Sequence, residues 1–250
     1  MRPISVKTQL IIFLAGFAIF LSLKDRDMLF LLTVLIAMLT AAGADSIAAY
    51  LKDKRITLSE SSVISGLIIG YVLSSGQPWW IFVLASTLAI ASKHLIRFNK
   101  KHLFNPAAFG IFSSIILFGA EAQWKGTYLW YILLPAGLYF ICKIRKLEVL
   151  IGYGLAALGV FGIQAIIQKS PILNIFGYLS YFYIFVMIIE PKTTPARPLG
   201  KFIFGMGVAV LIFILTESGV KFDPELSSLL ALNLVAPILN KLPDKEGARL

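Results

Sequence analysis

Residues 93–110 combine side chains that could hold an anion. Asn105 is a favourable N-cap and Pro106 a favourable first helical residue, so a helix is predicted to begin there. The N–H groups at a helix start carry partial positive charge, and Lys101 and His102 lie just before them. A phosphate or an isoalloxazine carbonyl is the kind of group that such a site would bind. The alternative is a capped helix after an ordinary basic connection.

A second candidate connection, residues 190–200, contains three prolines that restrict its backbone. Lys192 and Arg197 supply positive charge, and the hydroxyls of Thr193 and Thr194 supply hydrogen-bond donors. The alternative is a rigid linker that ends one helix and starts the next.

Three polar residues lie within or beside apolar segments: Asp45, Glu60 and Asn233. Ionisable groups inside a membrane are costly and often mark an ion or substrate path. Asp45 and Glu60 are nevertheless expected at the membrane interface, because each lies at the end of its segment.

Several chemistries have no support in the sequence. Cys142 is the only cysteine, which excludes an internal disulfide framework and leaves little reason to expect a cysteine-ligated cluster. The two histidines, His94 and His102, lie in one charged connection, so a haem held by two histidines at the membrane midplane is not expected. There is no P-loop, no G-x-S-x-G and no H-E-x-x-H sequence, so ATPase, serine hydrolase and zincin functions are not indicated.

The elements that must position these residues are membrane helices. The chain has 250 residues, of which 58% are hydrophobic and only 14% charged, and its mean hydropathy is +0.84. Soluble domains contain about 45–50% apolar and about 25% charged residues, so lipid is the expected solvent. The net charge of +10 is distributed between apolar runs, which indicates membrane topology and no nucleic-acid partner.

An all-α integral membrane protein with about ten transmembrane helices is predicted, as a single polytopic domain over residues 1–250. The third and fifth segments are short and could be half-helices, in which case an eight-span arrangement is the alternative. The segments are Thr8–Leu23, Met28–Ala44, Ser62–Leu73, Trp79–Ala91, Pro106–Gly119, Thr127–Cys142, Val149–Ile167, Pro171–Ile189, Lys201–Thr216 and Glu225–Asn240.

The distribution of lysine and arginine predicts the topology. Eighteen of these 23 residues lie in one set of alternate connections and five in the other, which favours ten spans with both termini cytoplasmic. Both candidate connections then lie on the cytoplasmic side. Thr8–Leu23 is expected to be retained as the first helix, because no A-x-A cleavage site follows it. Two five-helix halves would be inverted relative to each other, although no internal sequence repeat is evident.

Several motifs together resemble the NqrB/RnfD membrane subunits of bacterial flavin-dependent electron-transport complexes. Residues 105–107 resemble the FNPA signature of that family, and residues 190–195 its D-P-x-T-x-P connection. Residues 197–205 are similar to the helix entry that follows, residues 61–73 to its short third segment, and residues 229–241 to its closing L-x-N-x-x-x-P motif. The resemblance spans most of the chain in the same order, with the same ten-span layout.

The resemblance implies electron transfer through flavin, coupled to cation movement across a bacterial inner membrane. The family's covalent flavin threonine lies in an S-G-A-T type motif, which this sequence lacks, so FMN or riboflavin would be held non-covalently. The binding residues that the resemblance and the two connections suggest are Lys101, His102, Asn105, Pro106, Lys192, Thr193, Thr194 and Arg197.

The leading hypothesis is therefore an NqrB/RnfD-like membrane electron-transport subunit. It would work with a flavin- or NAD(P)H-dependent reductase or with other complex subunits. Two alternatives remain: a solute or ion permease on a scaffold like that of urea transporters, and a non-catalytic membrane scaffold for a partner reductase.

Overall fold

The structure, a computed structural model, describes residues 4–56, 58–99, 101–171, 176–177 and 179–243. Arg2, Lys100, Lys245 and Arg249, which contribute to the predicted topology, lie outside these ranges. The main elements of the described residues are α1 Val6–Lys24, α2 Met28–Asp53, α3 Glu60–Val72, α4 Trp79–Leu95, β1 Arg97–Phe98, β2 Lys101–His102, α5 Pro106–Phe118, α6 Trp130–Ile144, α7 Leu147–Ile167, a π-helical segment Tyr183–Met187, α8 Pro198–Glu217 and α9 Pro224–Leu239.

The helices fall into two length classes. Among the described residues, α1, α2, α7 and α8 are long and apolar enough to cross a membrane, whereas α3, α4, α5, α6 and α9 are shorter apolar helices. The 26 residues of α2 extend about 39 Å, which exceeds a hydrocarbon core of about 30 Å. The 13 residues of α3 and of α5 extend about 20 Å. The prediction of an all-α membrane bundle with some short helices is confirmed.

The chain divides into two compact units, Met1–Tyr128 and Leu129–Leu250. In the first unit, α1 packs on α3, α2 on both α3 and α4, and α4 on α5. In the second unit, α6 packs on the π-helical segment, α7 on α8, and α8 on α9. Apart from the hairpin β1–β2, each unit therefore has five main helical elements among the described residues. In each, the first packs on the third, the second on the fourth and the fourth on the fifth. The inverted relation of the halves and the single domain remain predictions.

The predicted eighth helix, Pro171–Ile189, is wrong in its extent. Residues 171, 179 and 180 are not helical, and the helix begins only at residue 181. The Ile188 N–H bonds the Tyr183 carbonyl five residues earlier, 3.1 Å away, as in a π-helix. Every residue from 183 to 187 is buried. Hydrophobicity alone predicted a full span here because a short core segment with no lipid-facing side is equally apolar. Residues 172–175 and 178 of that prediction lie outside the described residues.

Glycines allow several helix backbones to touch. A Cβ on Gly152 of α7 would lie 2.1 Å from the Phe202 carbonyl oxygen of α8, and one on Gly205 of α8 would lie 2.1 Å from the Val149 oxygen of α7. These distances exclude any side chain without a backbone shift, as in the close helix contacts of membrane proteins.

The glycines that the sequence marked for packing behave in the same way. A Cβ on Gly66 of α3 would lie 2.6 Å from the Ala37 oxygen, and one on Gly70 would lie 2.6 Å from the Val34 Cα. The prediction that these two glycines serve helix packing is confirmed.

Candidate functional site

The start of α5 has the predicted capping arrangement. Asn105 is the N-cap, its Oδ1 accepts the Ala108 N–H at 3.0 Å, and Pro106 is the first helical residue. The Asn105 carbonyl also accepts the Phe109 N–H at 3.0 Å. Pro106 has no N–H, so two of the next three backbone donors are already bonded to Asn105. This helix start has little remaining capacity to bind an anion through its backbone.

The connection before α5 folds into a small hairpin. Arg97 pairs with His102 and Phe98 with Lys101 in antiparallel register. His102 is buried, whereas Arg97 and Lys101 are exposed. The hairpin therefore places Lys101 at the surface and the imidazole of His102 inside the first unit. A cationic group that faces solvent is the feature of this connection best suited to a phosphate.

The hydroxyls of Thr193 and Thr194 point back into their own connection. Thr194 Oγ1 donates to the Glu190 carbonyl at 2.9 Å, and Thr193 Oγ1 donates to a Glu190 carboxylate oxygen at 3.4 Å. Both threonines are buried, while Lys192 is exposed. The two threonines therefore shape the turn, and Lys192 is the residue of this connection that reaches the surface.

The same connection is anchored to α7 and α9. The buried Lys146 ammonium donates to the Pro195 carbonyl at 2.8 Å, and the buried Asn233 amide donates to the Thr193 carbonyl at 3.3 Å. Asn240 Oδ1 accepts the N–H of residue 196 at 2.7 Å, and the Arg197 guanidinium donates to the carbonyl of residue 242. Asn233, singled out from the sequence as a polar residue at membrane depth, thus supports the connection from α9.

The structure groups the eight predicted site residues in two sets of four. Lys101, His102, Asn105 and Pro106 belong to the first unit, and Lys192, Thr193, Thr194 and Arg197 belong to the second. Each set lies along one connection. Their capping and anchoring contacts are established by the structure, whereas a role in holding a cofactor remains a prediction.

The buried Asp45 of α2 is the centre of a half-buried ion cluster in the first unit. Its carboxylate bonds Lys93 Nζ at 2.9 Å and His94 Nε2 at 2.7 Å, both from the end of α4. The Ser59 hydroxyl lies 3.4 Å from the same ammonium. The sequence predicts an interfacial Asp45 but not its burial, which two basic side chains from another helix compensate. The helix α2 continues past its predicted end at residue 44 to Asp53.

Two buried lysines of the second unit have structural roles that the sequence does not indicate. Lys201 donates to the Arg145 carbonyl at 2.8 Å and to Glu148 Oε2 at 3.2 Å. The second lysine, Lys146, is the next residue after Arg145 and donates to the Pro195 carbonyl, as described above. These contacts join the starts of helices α7 and α8. No spacing in the sequence identifies a lysine of this kind, because its partners lie 49 to 56 residues away.

The connection from Gly119 to Tyr128 and the end of α1 line an open cavity of the first unit, about 340 Å³ in volume. Its lining includes Lys24, Asp25, Trp124, Lys125 and Tyr128. Although partial burial opposes its ionisation, hydrogen bonds from Tyr128 and Lys125 lower the pKa of Asp25 below its ordinary value. The cavity thus has charges of both signs beside aromatic rings.

Asp27 stabilises the same end of the unit. Its carboxylate accepts the Phe30 N–H at 2.9 Å, the Ser75 hydroxyl at 3.0 Å and Lys125 Nζ at 3.0 Å. Partial burial opposes ionisation, but these hydrogen bonds lower the pKa of Asp27 below its ordinary value. One carboxylate therefore caps α2 and fixes two connections to it.

The fold is that of a multi-pass membrane protein with two units, each with five main helical elements among the described residues. It combines long and short apolar helices with polar connections that buried lysines anchor. The profile of the NQR2, RnfD, RnfE family matches residues 4–131 and 132–247, and the chain belongs to this family. The junction of the two matches lies close to the boundary between the structural units.

Curated relatives share one name, that of the D subunit of an ion-translocating oxidoreductase complex. The protein of Shewanella amazonensis is 20% identical over 288 aligned positions, which cover 83% of this chain and 83% of that protein. The protein of Alcanivorax borkumensis is 22% identical over 274 positions, covering 82% and 78%. A shorter match to the Aeromonas hydrophila protein is 33% identical over 81 residues and spans only 23% of that protein's length.

Proposed function

We propose that this chain is the membrane subunit of an ion-translocating electron-transport complex, and that it binds a flavin non-covalently. The observation that carries the proposal is the family match, which covers both structural units. Two relatives named for an ion-translocating oxidoreductase complex align with more than four fifths of the chain. The partners would be the other subunits of such a complex, including a flavin- or NAD(P)H-dependent reductase.

The two candidate connections fit an FMN phosphate better than they fit a flavin ring. Lys101 and Lys192 are exposed cations that suit a phosphate. The polar groups of Asn105, Thr193 and Thr194 are engaged in hydrogen bonds within the protein, so they would hold the connections in place. When bound, the flavin would supply the electron-carrying chemistry, while the chain positions it and excludes water.

The proposed location is a bacterial inner membrane with both termini on the cytoplasmic side. The asymmetry of lysine and arginine between alternate connections supports this topology. Single cysteines introduced in a background where Cys142 is replaced by serine would test it. Lys54→Cys should react with an impermeant maleimide only in inverted vesicles, and Lys221→Cys only in right-side-out vesicles. The opposite pattern, or reaction of both in one orientation, would contradict the topology.

Affinity purification of the tagged chain from its native membranes tests the function. The expected result is co-purification of redox subunits together with the yellow absorbance of an oxidised isoalloxazine. Acid precipitation should release the flavin, because no covalent bond is proposed. A chain that purifies alone, without colour, and stays colourless with added FMN or riboflavin would overturn the proposal.

Lys101→Ala and Lys192→Ala test the phosphate contacts. The two lysines belong to different units, so each variant tests its own connection. The variant in the connection that binds the phosphate should weaken FMN binding by about tenfold and leave riboflavin binding unchanged, because riboflavin has no phosphate. Lys52→Ala, at another exposed lysine of the first unit, is the matched control. A lysine whose loss weakens the binding of both flavins equally, or of neither, does not contact the phosphate.

A further inference from the structure

The open cavity of the first unit lies at a membrane surface. It is lined by residues 24–25 at the end of α1 and by residues 123–126 and 128 of the connection before α6. Both α1 and α2 are long and apolar enough to cross a membrane, and only residues 25–27 join them. A connection that short between two crossing helices lies at one surface of the bilayer. The cavity is therefore at the depth of the phospholipid headgroups.

Hydrogen bonds and close packing hold the wall of this cavity in place. The Lys125 N–H donates to the Tyr71 carbonyl at 2.8 Å, and the Lys125 ammonium donates to the Asp27 carboxylate at 3.0 Å. A Cβ on Gly126 would lie 2.9 Å from a methyl carbon of Leu21, so the connection lies directly against α1. The cavity is therefore preformed, which lowers the entropy that a ligand loses when it binds.

Two side chains of opposite charge lie next to each other in the cavity. Lys24 Nζ is 3.6 Å from an Asp25 carboxylate oxygen and 3.4 Å from the Tyr128 hydroxyl, and 40% of the Lys24 side chain is exposed. Contacts of that length are at or beyond the limit of hydrogen bonding, so the ammonium keeps donors for a stronger acceptor. The Asp25 carboxylate accepts the Tyr128 hydroxyl at 2.6 Å and lies 3.4 Å from Lys125 Nζ, which leaves lone pairs for a further donor.

An aromatic and apolar surface continues from the cavity along α1. The Lys24 ammonium lies 4.8 Å from the centroid of the Tyr128 ring, and Trp124 belongs to the same wall. Such rings concentrate at membrane interfaces. Phe20, four residues before Lys24 on the same face of α1, is exposed. Gly16 lies one turn further, is exposed, and a Cβ there would meet nothing within 4 Å. The surface of α1 is therefore indented below Phe20, where an acyl chain fits.

We propose that this cavity binds the headgroup of phosphatidylethanolamine, with an acyl chain of the lipid along Phe20 and Gly16. The phosphate accepts hydrogen bonds from Lys24, and the ammonium, joined to the phosphate by an ethylene bridge, donates to Asp25. Adjacent charges of opposite sign match this zwitterion better than phosphatidylglycerol, which carries only the negative charge. The site depends neither on the proposed flavin nor on redox partners.

Native mass spectrometry of the full-length chain in detergent, titrated with each lipid, tests the site. The unsubstituted chain should bind phosphatidylethanolamine about fivefold more tightly than phosphatidylglycerol. Asp25→Asn should weaken phosphatidylethanolamine binding about tenfold and leave phosphatidylglycerol binding unchanged, whereas Lys24→Gln should weaken both, because both lipids have the phosphate. Asp53→Asn and Lys221→Gln, at exposed residues outside the cavity, are the matched controls. Equal affinity of the unsubstituted chain for the two lipids, or equal losses in the controls, would overturn the site.

Photolabelling locates the lipid without any substitution. Phosphatidylethanolamine with a diazirine near the carboxyl end of one acyl chain should label the α1 peptide that contains Phe20, as identified by mass spectrometry, and unlabelled phosphatidylethanolamine should compete. Glycerophosphoethanolamine, the water-soluble headgroup, should not compete at the same concentration, because it has no acyl chain to occupy the surface of α1. Labelling confined to other helices, or equal competition by the soluble headgroup, would overturn the lipid site. A chain that binds the lipid but purifies without flavin or redox subunits would overturn the proposed function only.

Discussion

Asn105 and Asp223 occupy the same structural position in the two units. Each accepts a hydrogen bond from the N–H three residues ahead, at 3.0 Å and 2.8 Å, and each is followed by a proline that begins the fifth element of its unit. A phenylalanine precedes both, so Phe-Asx-Pro is the sequence at the two helix starts. The backbone arrangement is repeated while the capping side chain changes from neutral to acidic.

Removal of the neutral cap should destabilise the first unit. Asn105→Ala leaves the Ala108 N–H without its acceptor in a buried position, at an expected cost of about 1–2 kcal/mol. Asn105→Ser keeps an acceptor and should recover part of that loss. Thermal unfolding in detergent, followed by tryptophan fluorescence, measures both. An equal decrease in Tm for the two variants would show that volume, rather than capping, determines the effect.

The buried Asp45 and its half-buried partner Lys93 should behave as a unit. Lys93→Met alone leaves a buried carboxylate with only His94 and should cost about 3 kcal/mol. The double variant Asp45→Leu with Lys93→Met removes both charges and should recover most of that loss. Denaturant or thermal unfolding of the three proteins provides the comparison. A double variant no more stable than Lys93→Met would contradict the coupling of the two charges.

Acid should weaken the connections held by Asp27. Because its pKa is lower in the folded chain than in the unfolded chain, its contribution to stability is present above about pH 4 and is lost as the pH falls through the folded-state pKa. Asp27→Asn retains a capping oxygen but no charge. Its Tm should lie below that of the unsubstituted chain at about pH 6, and the difference should shrink at about pH 3. A difference independent of pH would rule out the ionic contribution.

Two glycines of α7 provide a matched test of backbone contact. Gly152→Ala would place a methyl group 2.1 Å from the Phe202 oxygen and should destabilise the second unit by about 1–3 kcal/mol. A Cβ on Gly154 meets nothing within 4 Å, so Gly154→Ala should be neutral or stabilising by up to about 1 kcal/mol. Retention of monodisperse protein after heating, measured by size-exclusion chromatography, ranks the two. Equal behaviour would contradict the close contact between α7 and α8.

Local signals predicted the elements well. Asn105 followed by Pro106 predicted the first residue of α5, and the apolar runs predicted the positions of nine helices among the described residues. A helix cap and an apolar run are determined by residues close together in the chain, so they can be predicted from one sequence. The π-helical segment Tyr183–Met187 was not predicted, because the hydrophobicity of a short buried segment is the same as that of a membrane span.

Contacts between distant residues could not be predicted. Asp45 and Lys93 are 48 residues apart, and the Ser86 hydroxyl bonds the Ala37 carbonyl at a separation of 49. The similar separations arise because α2 and α4 run parallel and pack on each other, and hydropathy does not reveal which helices are neighbours. Phe-Asx-Pro occurs at residues 104–106 and 222–224, which is too short a match to indicate an internal repeat by itself. Its significance becomes clear only when both copies are found to cap the fifth element of a unit.

The glycine contacts of α7 with α8 restrict how the second unit can move. With carbonyl oxygens of each helix seated against glycines of the other, no acyl chain and no water molecule can enter between them at Gly152 and Gly205. We therefore expect α7 and α8 to move together as one rigid pair. Any change in the shape of the second unit that keeps this contact has to be made by its other parts, such as the turn around Tyr183 and the short helix α9.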